Sequence, residues 1–201
     1  WPSAHVDDWD FFVRRVVTRY QAVIRDWIVV RGRIGARDPL LAAAEAELDA
    51  QLVQLTASAV RAVGSGVRVL AAAPGADLRW LSVFAARGGL AAVDGLALDV
   101  NRWPAAPEGL TVVVDVGAPA GAAPELCVWR FGYPTHVGFS STPPHRPGVS
   151  ADEQAAYVVR AHVLLASAGV STVLWRGLVD AGVAADDAAG KFGLYERIGG
   201  A

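Results

Sequence analysis

The sequence predicts an α/β protein whose strands form a parallel sheet. Two observations predict this class. Short apolar runs alternate along the chain with longer segments whose apolar residues follow helical spacing, and Gly or Pro marks most of the boundaries. Strands that alternate with helices pair in parallel through right-handed crossovers. A doubly wound sheet and a (β/α)8 barrel both fit this order, and periodicity alone does not choose between them.

The first half of the chain is predicted to hold three helices and three strands. Apolar residues at helical spacing predict a helix over 7–24 with one face toward a core. Asp38 and Pro39 are typical of a helix N-cap and first turn, and that helix stops at Gly64. The other predicted elements are strands at 27–30, 67–73 and 93–100 and a shorter helix at 77–87.

The second half is predicted to add strands at 126–131 and 170–174, on either side of a long loop and a helix. The apolar island Thr111–Val116 lies in a Pro-, Gly- and Ala-rich segment; its β-branched residues favour a strand, but a short helix remains open. Ser150 and Glu153 have the spacing of a capping box, so a helix is expected from there to Ala168. Gly169 is expected to end that helix.

Composition excludes several classes of protein. With 53% hydrophobic and 19% charged residues, the chain is too apolar for a disordered protein, and no apolar run is long enough to span a membrane. A net charge of −2 and a pI near 6.1 give no sign of nucleic-acid binding. Cys127 is the single cysteine, which excludes an internal disulfide. The chain lacks Met and opens on Trp1, so we expect its native start to be absent.

Generic cofactor and metal motifs are missing from the sequence. There is no Walker loop, GxSxG elbow or HExxH, so no cofactor is expected. His162 falls on the apolar face of its helix and is expected to be a core histidine. His136 and His145 share a polar loop without a third ligand nearby, so no metal site is expected.

Several segments carry a family resemblance in the correct order. The run Val128-Trp129-Arg130-Phe131-Gly132-Tyr133-Pro134 resembles the strand motif Val-Thr-Glu-Phe-Gly-Trp-Pro. Val173-Leu174-Trp175 and the later Phe192-Gly193-Leu194 are similar to a final barrel strand and the residues that trail it. Together with the opening Asp7-Asp8-Trp9, these segments resemble retaining glycoside hydrolases with a (β/α)8 barrel, of the family 39 type that includes β-xylosidases and bacterial polysaccharide hydrolases.

The resemblance implies an incomplete TIM-barrel-like fold. It aligns residues 1–201 as a single domain with barrel strands 4 to 8, about five of the eight strands, so strands 1 to 3 are expected to be missing from this chain. Exposed strand edges promote aggregation. We therefore expect the rest of the polypeptide or another protein chain to supply the missing strands.

The resemblance also indicates a lost active site. Retaining hydrolases use two carboxylates about 5 to 5.5 Å apart. In the family these are glutamates at the ends of strands 4 and 7, where this chain has Arg31 and Gly32, and Arg130. The strand 6 histidine is replaced by Asp99. Glycine has no side chain to transfer a proton and arginine is no nucleophile, so these degenerate positions predict a catalytically inactive domain.

Ligand-binding candidates remain near the predicted strand ends. Four aromatic residues could stack on sugars or serve only in packing: Trp103, Trp129, Tyr133 and Trp175. Arg130 is expected to pair with Asp99, with Arg31 sharing that carboxylate; alternatively the two arginines bind an anionic group such as a uronate or phosphate. Asp180 is a further candidate.

The predicted role is therefore carbohydrate binding or scaffolding by an inactive hydrolase-like domain. The alternative is an active polysaccharide glycosidase whose carboxylates come from the missing N-terminal part or from Asp99 and Asp180. The expected partners are a carbohydrate or another protein chain that completes the barrel, without nucleic acid or a membrane span. Family analogy alone points to the cell envelope or the exterior.

Overall fold

The fold is an α/β arrangement of five strands and five helices within the residues that the structure describes. The computed structural model describes residues 5–31, 39–64, 66–74, 77–100, 103–110, 124–141, 145–182 and 184–195. The helices are α1 (Val6–Tyr20), α2 (Pro39–Val63), α3 (Leu78–Ala86), α4 (Gly89–Ala92) and α5 (Ala151–Ser167). The strands are β1 (Asp26–Val29), β2 (Arg68–Ala73), β3 (Gly95–Asp99), β4 (Glu125–Phe131) and β5 (Val170–Trp175). Short 3₁₀ turns lie at Pro107–Leu110 and Ala188–Gly190.

The five strands form one parallel sheet, which confirms the predicted fold class. Their order in the sheet is β1-β2-β3-β4-β5, so neighbours in the sheet are also consecutive in the sequence. The register pairs Asp26 with Arg68 and Leu70 with Gly95. A doubly wound sheet reverses its strand order at a switch point, whereas this order never reverses. The sheet is therefore that of a partial TIM barrel.

The chain divides into two compact units, Trp1–Leu98 with Val116–Leu126, and Asp99–Asp115 with Cys127–Ala201. In the first unit the long helix α2 packs against α1 and α3. Fully buried alanines on α2, such as Ala46, Ala50 and Ala57, let these helices approach closely. The Trp9 indole nitrogen donates to the buried Thr56 hydroxyl at 3.0 Å and ties α1 to α2.

The second unit has an aromatic core beside β4 and α5. Tyr133 lies between the rings of Phe131 and Tyr157, at centroid distances of 5.6 and 4.8 Å. Gln154 of α5 is buried, and its side-chain amide donates to the carbonyls of Tyr133 and Gly193. Helix α5 therefore fixes the loop that follows β4.

Most predicted boundaries hold within a few residues. The predicted capping box of Ser150 with Glu153 is present, and Gly169 follows α5 with a φ of +84°. The prediction for the first helix was too long, because α1 ends at Tyr20 and leaves Ile24 outside it. Strand β3 begins at Gly95 rather than at 93, and the Asp94 carboxylate just before it accepts from the Val69 N–H.

Three expectations lie partly or wholly outside the described residues. Asp38, the expected N-cap of α2, is one of them, and the island at 111–116 is the second. Gly32, which the resemblance aligns with a catalytic position, is the third. Gly88 and Gly89, which follow the helix predicted over 77–87, start the short helix α4, and Gly88 has a φ of +79°.

Candidate functional site

Three charged residues meet at the carboxyl ends of three neighbouring strands. Asp99 is the last residue of β3, Arg130 is the next to last of β4, and Arg176 directly follows β5. The Val100 N–H donates to the Arg130 carbonyl, and the Arg176 N–H donates to the Phe131 carbonyl at 2.8 Å. We call Asp99, Arg130 and Arg176 the strand-end cluster. It occupies the end of the strands at which TIM barrels place their sites.

The predicted ion pair between Arg130 and Asp99 is present. The distance from Arg130 Nη1 to Asp99 Oδ2 is 3.4 Å. The Asp99 side chain is 17% exposed and that of Arg130 is 40% exposed. Because the guanidinium carries five N–H donors, this one contact leaves Arg130 with donors that face solvent.

The electrostatics of the cluster are dominated by burial and by its two cations. Burial raises the pKa of Asp99 above its ordinary value, and Arg130 and then Arg176 act in the opposite direction. The pKa of Arg176 is lowered, first by burial and then by Arg130, whereas Asp99 and Asp187 favour its charged form. Arg130 therefore has a larger effect on the pKa of Arg176 than either carboxylate has.

Arg176 is held by an aromatic ring that packs on the end of β4. Its guanidinium carbon lies 4.2 Å from the centroid of the Phe192 ring, a cation–π contact. The ring fits because Gly132 has no side chain, since a Cβ there would meet Phe192 Cδ1 at 2.8 Å. The Trp175 indole nitrogen donates to the Phe192 carbonyl at 2.8 Å and fixes the backbone. Sequence reasoning missed Arg176, although its place directly after a predicted strand was a usable signal.

Two of the four aromatic candidates are buried in packing contacts. Trp103 is 4% exposed and makes edge contacts with His136 and Phe192. Tyr133 is fully buried between Phe131 and Tyr157. The burial of both rings favours the packing alternative for these two residues over the stacking alternative.

The other two aromatic candidates are partly exposed. Trp175 packs edge-on against Phe131. The guanidinium carbon of Arg130 lies 5.4 Å from the Trp129 ring centroid. The Trp129 indole nitrogen is buried and has no hydrogen-bond partner among the described residues. Trp129 therefore directly adjoins Arg130 of the strand-end cluster.

Asp180 belongs to a separate buried ion pair. Its Oδ2 lies 3.1 Å from Lys191 Nζ, and its Oδ1 accepts from the Gly193 N–H at 2.9 Å. The side chains are 3% and 13% exposed, respectively. A cavity of about 380 Å³ adjoins this pair and is also lined by Thr135, Ser150 and Gln154. Both Asp180 oxygens are engaged by protein donors.

Arg31 has partners on α2 and not the partner that the sequence suggested. Its Nε donates to Asp49 Oδ1 at 2.7 Å, and its Nη2 lies 4.0 Å from Glu45. The other Asp49 oxygen accepts from the Trp80 indole nitrogen at 3.0 Å. The expectation that Arg31 shares the Asp99 carboxylate is therefore corrected. Sequence reasoning did not single out Asp49, since it is one of several acids on a long helix.

The described residues contain no group of three His, Cys, Asp or Glu side chains that could hold a metal ion. His162 donates from Nδ1 to the Val158 carbonyl, and His136 donates from Nε2 to the Arg146 carbonyl. Within the same residues, no helix has the length and hydropathy that crossing a membrane requires.

Comparisons with known proteins show the class of fold to which this site belongs. No family model matches the sequence, and no curated protein matches it. The fold is similar to a family 39 glycoside hydrolase from Bacteroides cellulosilyticus, with a TM-score of 0.70 at 15% identity, over 92% of this chain and 39% of that one. A β-glucuronidase from Bacteroides uniformis also gives a TM-score of 0.70, at 11% identity, over 96% and 24% of the two chains.

A third similar fold is the catalytic domain of a family 53 glycoside hydrolase from Ignisphaera aggregans. Its TM-score is 0.60 at 14% identity, over 86% of this chain and 55% of that one. This chain therefore spans well under two thirds of each of these proteins. The structure is a partial TIM barrel of the kind found in glycoside hydrolases, and at these identities the likeness concerns the fold.

Proposed function

We propose that this domain binds carbohydrate at the carboxyl ends of its strands and does not hydrolyse it. The observation that carries the proposal is Arg130, ion-paired with Asp99 at the point in β4 where the resemblance to retaining hydrolases assigns a glutamate nucleophile. An arginine cannot form the covalent glycosyl intermediate that retention requires.

The neighbouring sequence offers no substitute nucleophile. Between Leu126 and Ser150 the chain contains no Asp or Glu, so a shift of register in β4 does not restore a carboxylate. Asp180 holds Lys191 and the Gly193 N–H, and releasing its carboxylate would leave a lysine that is 13% exposed without its partner. Asp99 is thus the one acid of the strand-end cluster, and retaining catalysis needs two carboxylates.

Two assays on the full chain test this function together. Retention on immobilised polysaccharides measures binding, and release of p-nitrophenol from a panel of p-nitrophenyl glycosides measures hydrolysis. We expect retention on at least one polysaccharide and no release above the protein-free blank. Release that disappears in Asp99→Ala would contradict the proposal, and absence of retention on every polysaccharide would also contradict it.

An active glycosidase is the second candidate, and one observation favours it. Burial raises the pKa of Asp99, which is the property a general acid needs near neutral pH. In that case Asp99 would protonate the leaving group, and the second carboxylate would come from outside the strand-end cluster. A hydrolysis rate whose alkaline limb is lost in Asp99→Asn would identify this candidate, whereas binding without turnover would exclude it.

A partner chain that completes the barrel stays a prediction. The strand order leaves β1 and β5 at the two edges of the five-stranded sheet. Backbone groups at a sheet edge are the sites where a further strand would pair. If the domain has a scaffolding role, we infer that strands of a partner chain would pair with β1 or β5.

A further inference from the structure

We propose that the strand-end cluster is a binding site for the carboxylate of an acidic sugar, with Arg130 and Arg176 as the two donors. This inference rests on the proposed carbohydrate-binding function and names the class of sugar. Arg130 and Arg176 lie at the carboxyl ends of adjacent strands and act on each other electrostatically, and Asp99 is the acid of the cluster. The cluster itself therefore carries one excess positive charge.

Asp187 is a further acid that acts on Arg176, and it lies outside the strand-end cluster. Asp187 also favours the charged form of Arg176, but its effect is smaller than those of Arg130 and Asp99. The Asp187 carboxylate is committed elsewhere, since its Oδ1 accepts from the Ala189 N–H at 2.9 Å and caps a 3₁₀ turn. An anionic ligand would thus relieve the repulsion between the two arginines.

The donors are available and partly oriented before a ligand arrives. Arg130 is 40% exposed, and its contact with Asp99 is one oxygen at 3.4 Å rather than a two-point fork. The Arg176 guanidinium lies on the Phe192 ring at 4.2 Å, and Gly132 leaves room for that ring. Holding a long side chain in place lowers the entropy lost on binding.

The geometry matches a sugar carboxylate better than a bare anion. A planar guanidinium recognises a planar carboxylate through two parallel hydrogen bonds. The Trp129 ring lies beside Arg130 and has a buried indole nitrogen without a partner among the described residues. A partly exposed aromatic ring next to the cations is a feature that a sugar ring can stack on and that inorganic phosphate cannot use.

The test compares acidic oligosaccharides with their neutral esters. Hexasaccharides of galacturonate, of alginate and of hyaluronan are titrated calorimetrically into the full chain, each beside its carboxyl methyl ester. We expect at least one acidic form to bind about tenfold tighter than its ester, the effect of one charge-assisted contact. Arg130→Gln and Arg176→Gln should each remove about that factor from the acidic form and leave the ester unchanged.

Two further variants separate binding from folding. Asp99→Asn removes the competing carboxylate and should tighten binding of the acidic form several-fold, which a purely structural salt bridge would not do. Arg79→Gln, on the exposed surface of α3, is the matched control and should change neither affinity.

The outcomes distinguish this inference from the function on which it rests. Equal binding of every acid and its ester would overturn the inference and leave carbohydrate binding in place. No binding of any acid or ester would overturn the inference, and absence of retention on every polysaccharide as well would overturn both. Binding of inorganic phosphate that depends on both arginines, without a preference for any acidic sugar, would make the cluster a simple oxyanion site and overturn the acidic-sugar assignment.

Discussion

Arg130 Nη1 lies 3.4 Å from Asp99 Oδ2, and the arginine is the more exposed member of the pair. The two residues end adjacent strands, so the parallel pairing of β3 with β4 brings them together. The buried acid bears the greater desolvation cost, which explains why its pKa is raised even beside a cation. Because the pKa of Asp99 is raised on folding, the stability that this residue contributes depends on pH.

The first prediction concerns Asp99→Asn and pH. The pKa of Asp99 is raised from about 3.8, so the unfolded chain ionises before the folded one as pH increases. The stability that Asp99 contributes is complete below about pH 3.8 and is lost as pH rises through the higher folded pKa. The free energy of unfolding of the wild type minus that of Asp99→Asn should therefore fall over this window.

Urea unfolding of both proteins at a series of pH values between 3 and 7 measures this difference. Arg79→Gln provides the baseline for a change of one surface charge. A difference that grows with pH would show that attraction to Arg130 outweighs burial.

The second prediction concerns the buried pair of Asp180 and Lys191. Asp180→Ala leaves the lysine, 13% exposed, without its acid and should lower the free energy of unfolding by about 3–5 kcal/mol. Because both charges are removed together, the double variant Asp180→Ala with Lys191→Met should lose less than the sum of the single variants. Denaturant unfolding of all four proteins gives the coupling energy, and strict additivity would contradict the pairing.

The third prediction concerns Asp49, which holds two donors at once. Asp49→Ala removes the acceptor of Arg31 Nε and of the Trp80 indole nitrogen and should destabilise the fold by about 3 kcal/mol. Glu45→Ala is the control on the same helix, since Glu45 lies 4.0 Å from Arg31; we expect a loss below about 1 kcal/mol. Equal losses in thermal or urea unfolding would show that Asp49 has no special role.

The fourth prediction concerns the start of α5. Ser150 accepts from the Glu153 N–H, so Ser150→Ala should cost about 1 kcal/mol, and Ser150→Asp should retain most of that stability. Ser167→Ala, at the other end of α5, is the control and should stay within about 0.5 kcal/mol of the wild type. A Ser150→Ala protein as stable as the control would mean that the capping box contributes nothing measurable.

Much of the fold could be predicted because its signals are local. The cap at Ser150 and the glycine after α5 depend on residues within one turn of each other. The first helix was overextended because apolar spacing continues through Ile24, and the end of α1 depends on where the chain must turn to enter β1. The repeating order of elements gave the parallel sheet, and the choice of a barrel-like order rested on the resemblance.

The candidate site was predictable only in part. Asp99 and Arg130 could be paired from sequence because both end strands that are consecutive in the chain. Arg176 was missed because its part in the cluster depends on Phe192, a residue 16 positions later that packs against Gly132. Trp103 and Tyr133 had the right residue type for sugar stacking, but packing from distant parts of the second unit covers them.

By itself the sequence determined the succession of strands and helices and the capped start of α5, and it predicted that Arg31, Gly32 and Arg130 stand at the carboxylate positions of the family that it resembles. Only the tertiary structure decided that Arg31 pairs with Asp49 and that Asp180 pairs with Lys191. It also placed Arg176 in the strand-end cluster. The physical reason is the separation along the chain of the residues that each effect involves. Helix and strand formation depends on neighbours a few residues away, whereas burial and charge pairing depend on side chains that only the packed chain brings together.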